Sequence, residues 1–294
     1  MKLPLNKALA TNIALSGNIL LHLSGYGYQK RGAPLWLLHK LKAERANIKT
    51  LGVYFHELYA FSPPWRLAFW LSPVQRYVAR SIAEISDYWM TNRGDSARWL
   101  ERFAADKPHA TLPVFSNVGE MPVYLSKRQP KIVVFGGAAL RAATYRKVGD
   151  SLFDWMNAKG LELHDIGPAM NDQDLDYSLT KADAIVHGRL DAQSVSCILE
   201  NASFGLVKYP VEYVSKSGVF AAYCAHGMAP ILLSNNDTDS DDLVAGKHYF
   251  TDIPNLDDGR KTGQAAWEWY QPHQVSLHVS TQLKLLQDVN SHDI

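Results

Sequence analysis

The sequence predicts an α/β protein built on two parallel sheets, each covered by helices on both faces. Three observations carry that prediction. Short apolar runs alternate with amphipathic stretches in two successive rounds. Several of the apolar runs stop at glycine or at titratable side chains, as buried parallel strands do at their ends. A polar, proline-bracketed stretch, "MPVYLSKRQP", separates the two rounds. The resulting domains are residues 1–128 and 129–294. At 294 residues, 47% hydrophobic and 20% charged, the chain suits a soluble globular protein of one large or two medium domains.

In the first domain "NILLHLSGYGY" is a strand, and "GAPLWLLHKLKAERAN" a helix entered at Pro34. "IKTLGVYFHEL" is the next strand. "SPPWRLAFWLSPVQRYVARSIAEIS" reads as two helices joined at Ser72-Pro73, where Ser72 caps and Gln75 completes a capping box. "DYWMTN" is a strand, "RGDSARWLERFAA" a helix and "ATLPVFSNVGE" a strand ending in a turn. In the second domain "KIVVFGG" is a strand with a glycine turn, and "AALRAATYRKVGDSLFDWMNAKG" one helix closed by a C-terminal glycine. The strands "LELHDIG" and "ADAIVHG" follow, then the helix "DAQSVSCILENA" and the strand "SFGLVKYP". A helix over "KSGVFAAYCAHG", the strand "APILLS" and the closing helix "AAWEWYQPHQVSLHVSTQLKLLQDV" complete the domain.

The net charge of +1 conceals an asymmetry. Residues 1–128 hold 17 Lys/Arg against 8 Asp/Glu, and residues 129–294 hold 13 against 21. The basic half faces something anionic (lipid head groups, a phosphate-bearing ligand or nucleic acid) or else attracts the acidic half. No nucleic-acid motif accompanies the charge, which disfavours nucleic acid. The aromatic and basic stretch "WRLAFWLSPVQRYVAR" packs in a core or lies on a membrane surface. No run approaches 18 apolar residues, and the N-terminal stretch lacks a clean leader pattern, so the chain is read as cytoplasmic. Cys197 and Cys224 have no metal-binding spacing and are expected to be buried thiols. "NDQDLDYSLTKAD" echoes a calcium loop, but Tyr177 stands where the turn needs glycine, so a solvated acidic loop is expected and no metal site. "DTDSDD" is expected as a surface loop. "FGGAAL" is not a dinucleotide fingerprint, and no P-loop or nucleophile elbow occurs.

In open α/β sheets ligands bind beyond the carboxyl ends of the strands. His56 and Glu57, Tyr26 to Arg31, Asn92, Ser116 to Glu120, Gly136 to Arg141 and Gly167 all fall at such ends.

The stretches "HELYAFSPPWRLAFWLSPVQRYVARSIAEISDYWMTN", "LPVFSNVGE", "IVVFGGAALR" and "KSGVFAAYCAHGMAPIL" resemble a bacterial branch of the family 4 glycosyltransferases. That resemblance implies the GT-B fold, two Rossmann-like domains facing each other across a cleft, here with a shortened N-terminal domain. It implies a retaining, metal-independent transfer of sugar from a nucleotide-diphosphate donor to an acceptor hydroxyl, with no cofactor, in cell-surface polysaccharide or glycolipid synthesis. The resemblance further implies a glycan or lipid-linked acceptor and a peripheral position on the inner face of the membrane. The donor nucleotide would lie in the second domain and the acceptor in the first. His56 matches the family histidine near the transferred sugar, with a structural histidine as the alternative. Arg141 and Arg146 have the separation of the family's diphosphate-binding cations, with a solvated helix face as the alternative. Gly136, Gly137, Lys216, Ser217 and Gly218 would serve the donor phosphates through backbone N–H groups, a hydroxyl and a charge. Tyr26, Tyr28, Arg31 and Glu57 would shape the acceptor side, a glutamate in Glu57's position being more often an ion-pair partner or a residue behind the site than a base.

Two departures accompany the resemblance. The family's glutamate pair would fall at Val214 and Ala222, with only Glu212 nearby. The first domain begins close to what should be a middle strand, and the exposed sheet edge this implies calls for self-association or a complementing chain. A non-catalytic glycosyltransferase-like binding protein or partner subunit is therefore the alternative reading.

Overall fold

The computed structural model describes residues 14–59, 65, 67–123, 128–234, 240–254 and 259–291. The Ser62–Pro64 helix start, the middle of the 121–130 stretch and the first half of "DTDSDD" lie outside the described residues. Packing divides the chain into two compact units, Met1–Pro113 with His278–Ile294, and Val114–Leu277.

In the first unit β1 (Gly17–Ser24), β2 (Ile48–Glu57), β3 (Tyr88–Thr91) and β4 (His109–Thr111) form a parallel sheet in that order. Between them run α1 (Gly25–Tyr28), α2 (Leu35–Ala43), α3 (Leu67–Ile85) and α4 (Gly94–Ala104). The period-2 alternation of the strands sorts their side chains. Leu21, Leu23, Leu51, Val53, Phe55 and Trp89 pack against Leu37, Leu38 and Leu41 of α2, Val78 and Ile82 of α3, and Leu100 of α4. Tyr54, Tyr88 and Met90 point to the other face, where Leu285 covers them from the last helix of the chain, Val275–Ser291. On that face Asn18, Leu20 and His22 of β1 are exposed.

Two readings are corrected in this unit. The chain makes one helix, α3, through Pro73 rather than two helices joined there. Proline removes one helix hydrogen bond, and here it does so on an exposed stretch where water can serve the freed carbonyl. The fourth strand ends at Thr111 instead of continuing to Glu120. Pro113 offers no N–H to a ladder, and Val114 N–H donates instead to Ser215 O at 2.8 Å, inside the second unit. For the same reason packing divides at 113/114 and not at the 128/129 boundary read from the sequence: Val118 belongs to the second unit's core.

The second unit holds β5 (Gln129–Phe135), α5 (Ala138–Val148), α6 (Ser151–Lys159), β6 (Glu162–Ile166), α7 (Gln173–Lys181), β7 (Ile185–Gly188), α8 (Ala192–Asn201), β8 (Ala202–Lys208), α9 (Gly218–Ala225), β9 (Ala229–Leu233) and α10 (Arg260–Tyr270). The last helix, α11 (Val275–Ser291), returns from His278 onward to the first unit. The five strands are parallel in the order β7-β6-β5-β8-β9. Val133 and Ile166 face one apolar layer with α8 and α9, while Ile132, Val134 and Leu163 face another with α6. Helices therefore cover both faces, as alternating β/α connections require.

Here four expectations change. The long helix after β5 is two helices, because Gly149 takes a positive φ of 62° and ends the first. The closing helix is likewise α10 and α11, separated around Pro272. The stretch expected as an acidic loop forms α7: Asp172 caps it by accepting from Leu175 N–H at 3.3 Å, and Asp174 and Asp176 sit in its first turn, where the helix dipole favours carboxylates. Cys224 is buried, as expected, but Cys197 is exposed on α8.

Arg128, in the stretch read as a linker, is an anchor. Its Nη1 donates to Glu200 O and Ala202 O, each at 2.9 Å, and its Nη2 to His226 O, so one guanidinium closes the C-terminal ends of α8 and α9. Burial lowers its pKa to about 10. Arg128→Ala leaves those carbonyls without their donor and is expected to cost about 2–3 kcal/mol, measured by urea unfolding against wild type.

His226 adds a pH dependence. Its Nδ1–H donates to Ala222 O (2.8 Å) and its Nε2 accepts from Ser196 Oγ (2.7 Å), contacts that suit the neutral ring. Burial holds its pKa below the ordinary 6.5. The unfolded chain then takes up the proton first, so stability is full above pH ~6.5 and falls as pH drops below it. A lower melting temperature at pH 5.5 than at pH 7.5, with the difference reduced in His226→Gln, is the expected result.

Candidate functional site

In the second unit the chemistry gathers where β5, β6 and β8 end. After Phe135 the chain turns through Gly136 and Gly137 into α5, whose first amides have no side-chain cap. After β8 a 3₁₀ turn over Val211–Lys216 leads into α9. Ser217 caps that helix, its Oγ accepting from Phe220 N–H at 3.2 Å. The amides of Gly218 and Val219 lie ahead of the helix's own hydrogen-bond ladder and are available to an anion. The two helix starts adjoin: a Cβ placed on Gly136 would lie 3.3 Å from Val219 Cγ2. A Cβ on Gly218 would meet Asn117 Cγ at 3.5 Å. Gly136, Gly137, Ser217 and Gly218 are thus brought together, with Lys216 next in the chain and its ammonium 5.7 Å from the Tyr213 ring centroid.

The two arginines do not join them. Arg141 is 1% exposed, in the first turns of α5. Its Nε donates to Gly136 O at 3.1 Å, one Nη pairs with the buried Asp165 carboxylate, and the other donates to Pro168 O. Tyr145 OH donates to the same carboxylate at 2.8 Å, and burial with that charge raises the Tyr145 pKa. The guanidinium is a strut joining the turns after β5 and β6. Gly167 is part of the same joint: a Cβ there would come within 2.1 Å of Gly136 O and 2.6 Å of Arg141 Nε. The geometry therefore does not carry the expected diphosphate contact of Arg141. Arg146 lies at the opposite, C-terminal end of α5, largely exposed and paired with Asp172 of the α7 cap. It is a surface ion pair, away from the glycine turn. The positions where the resemblance placed glutamates, Val214 and Ala222, are packed in the apolar core.

In the first unit the ends of β1 and β2 carry a second constellation. His56 Nε2 lies 3.0 Å from His22 Nδ1, with the rings stacked at 5.3 Å. Tyr54 lies under His56 at 4.3 Å between centroids and touches His22 edge-on. Burial raises the pKa of the Tyr54 phenol. His278, at the start of α11's stretch in this unit, sits edge-on to Tyr54 and contacts Pro113 O through Nε2 at 2.8 Å. Ser24 Oγ donates to Glu57 Oε2 at 3.2 Å, so Glu57 ties the two strand ends together. Tyr28 OH donates to His22 O at 2.9 Å, and burial raises its pKa. Tyr26 is half exposed, reached by Gln75 Nε2 at 3.4 Å, and the same amide holds Arg31 O at 3.0 Å while the Arg31 side chain is exposed. His56, Glu57, Tyr26, Tyr28 and Arg31 are thus brought to one end of the first sheet. Sequence reasoning missed His22, which lies on the strand register beside Tyr54. It also gave Asn117 no role of its own.

No protein-family model and no curated protein matches the sequence. Solved structures do match. The pneumococcal O-GlcNAc transferase GtfA, in complex with UDP and GlcNAc, superposes with a TM-score of 0.61 at 13% identity over 96% of this chain and 59% of that one. The GtfA/B complex gives 0.58 at 15% identity over 97% of this chain and 60% of that one. The fold is GT-B. The α,α-trehalose 6-phosphate synthase of Burkholderia multivorans gives 0.58 at 12% identity, over 98% of this chain and 76% of that one. The chain spans about three fifths of the length of the first two of these GT-B proteins.

Proposed function

We propose that the chain is a GT-B protein that binds a nucleotide-diphosphate sugar in its second unit and takes part in glycosyl transfer. The observation that supports this most is the meeting of two helix starts, at Gly136–Gly137 and Ser217–Gly218, at the carboxyl end of a parallel sheet. The donor diphosphate would receive the amides of Gly137, Gly218 and Val219, with Lys216 supplying positive charge. These groups would stabilise the departing nucleoside diphosphate without a metal ion. Retention at the anomeric carbon, and an acceptor that is a cell-surface glycan or lipid-linked sugar, belong to the same reading. His56 would contact the transferred sugar, with Tyr26, Tyr28 and Arg31 toward the acceptor. The test is release of the nucleoside diphosphate from UDP-sugars offered with glycan and polyprenyl-linked acceptors. His56→Ala is expected to lower turnover about 100-fold with the melting temperature unchanged, since this ring is only partly buried.

A second reading, a non-catalytic binding or partner subunit, is favoured by the burial of Arg141 and by Val214 and Ala222 occupying the glutamate positions. Nucleotide binding without turnover on any acceptor would select it.

A further inference from the structure

His56 sits at a defect in the first sheet. β1 and β2 pair in parallel, His22 with Tyr54 and Leu23 with Phe55, but the next pair is Ser24 with Glu57. His56 is therefore the extra residue of a β-bulge and has no register partner on β1. A bulge bends its strand and re-aims the side chain it carries. The His56 ring stands diagonally across from His22, with Nε2 3.0 Å from His22 Nδ1 and the ring planes 20° apart. One of these nitrogens donates its N–H to the lone pair of the other.

The surroundings hold both rings to that bond. Leu21 and Leu23, on either side of His22, are buried in the core on the opposite face of β1. Tyr28 OH donates to His22 O at 2.9 Å. The buried Tyr54 ring is edge-on to His22 at 5.6 Å and lies 4.3 Å from His56 between centroids. Past the bulge, Ser24 Oγ donates to Glu57 Oε2 at 3.2 Å and restores the register. A histidine kept for packing alone needs none of this. The bulge disrupts the ladder, and at this open end of the sheet, where His22 is exposed and His56 partly so, water would serve both rings.

We propose that His22 is a positioning residue for His56. Its Nδ1 fixes the plane and the hydrogen-bonding state in which the His56 ring meets the transferred sugar. His22 has this role only if His56 contacts that sugar as proposed above, and it acts through His56 and not on the sugar itself. Histidines in active sites are commonly oriented by a carboxylate. Here the adjacent carboxylate, Glu57, is bonded to Ser24, and a second imidazole takes the place. A reacting group misplaced by about 1 Å can lose about 100-fold in rate, so one orienting bond has a measurable effect.

The test follows nucleoside-diphosphate release by the full chain from UDP-, GDP- and ADP-sugars, with glycan and polyprenyl-linked acceptors. His22→Ala is expected to lower kcat about 10- to 30-fold with KM for the donor within about twofold. It should melt with wild type, since the ring is exposed. Asparagine carries its side-chain nitrogen where histidine carries Nδ1, whereas glutamine carries it one bond further out. His22→Asn is therefore expected to return to within about threefold of wild type, and His22→Gln to stay near His22→Ala. His22→Ala/His56→Ala should be no slower than His56→Ala, because nothing remains to be positioned. Wild-type turnover in His22→Ala, failure of His22→Asn to recover, recovery by His22→Gln as complete as by His22→Asn, or losses that multiply in the double variant would overturn the role of His22 and leave that of His56 standing. Unchanged turnover in His56→Ala, or none by wild type, would remove the role of His56 and that of His22 with it.

Discussion

Arg141→Ala is expected to destabilise the second unit by about 3–5 kcal/mol. The cost arises less from the lost attraction than from what remains. Asp165 is fully buried on β6 and would keep only the Tyr145 hydroxyl as a partner, while Gly136 O and Pro168 O would lose their donors. A buried carboxylate with its cation removed is strongly penalised. Arg141→Ala/Asp165→Ala should therefore recover part of the loss, whereas Arg146→Ala, which breaks an ion pair with one largely exposed partner, should stay within about 0.5 kcal/mol. Urea denaturation of the four proteins measures all three comparisons. A small effect of Arg141→Ala would mean that the guanidinium is not the strut its hydrogen bonds describe.

Gly137→Asp is expected to abolish nucleotide binding while leaving the fold intact. The backbone at Gly137 has φ −65°, open to any residue, and a Cβ there meets nothing within 4 Å. A side chain is therefore accommodated without strain, and the carboxylate stands at the entrance of α5, where the proposed diphosphate would approach. Two like charges about 4 Å apart repel by several kcal/mol at an intermediate dielectric, so an affinity loss of at least about 100-fold is expected, close to 2.7 kcal/mol. Gly137→Ala should bind within a few-fold of wild type. Both variants should melt with wild type, which separates loss of binding from loss of structure.

Much of this architecture was legible in the sequence because each signal was local. The apolar runs that became β2, β5 and β9 are continuous, and the glycine and serine signals at Gly136 and Ser217 mark helix starts by their own chemistry. What could not be read depended on partners distant in the chain. Arg141 looks like any charged helical residue until the sheet brings Asp165 beneath it, 24 residues away. His22 became part of the His56 constellation only through the register that sets β1 beside β2. α7 was hidden because aspartates in a helix's first turn and aspartates in a solvated loop have the same composition. Pro73 suggested a break that the packing of Val78, Ala79 and Ile82 against the sheet overrode. Packing divides the chain earlier than the 128/129 boundary read from the sequence because the segment after β4 joins the second unit through the Val114–Ser215 hydrogen bond and the burial of Val118 in its core.

The most direct test of the proposed donor site is calorimetric titration of UDP, GDP and ADP into the full wild-type chain, with melting temperature followed in parallel. Binding of one of them is predicted, with stabilisation of about 2.7 kcal/mol at a hundredfold excess over its dissociation constant, and both signals absent in Gly137→Asp. Failure of all three to bind a demonstrably folded chain, or undiminished binding by Gly137→Asp, would contradict a diphosphate site at the two helix starts.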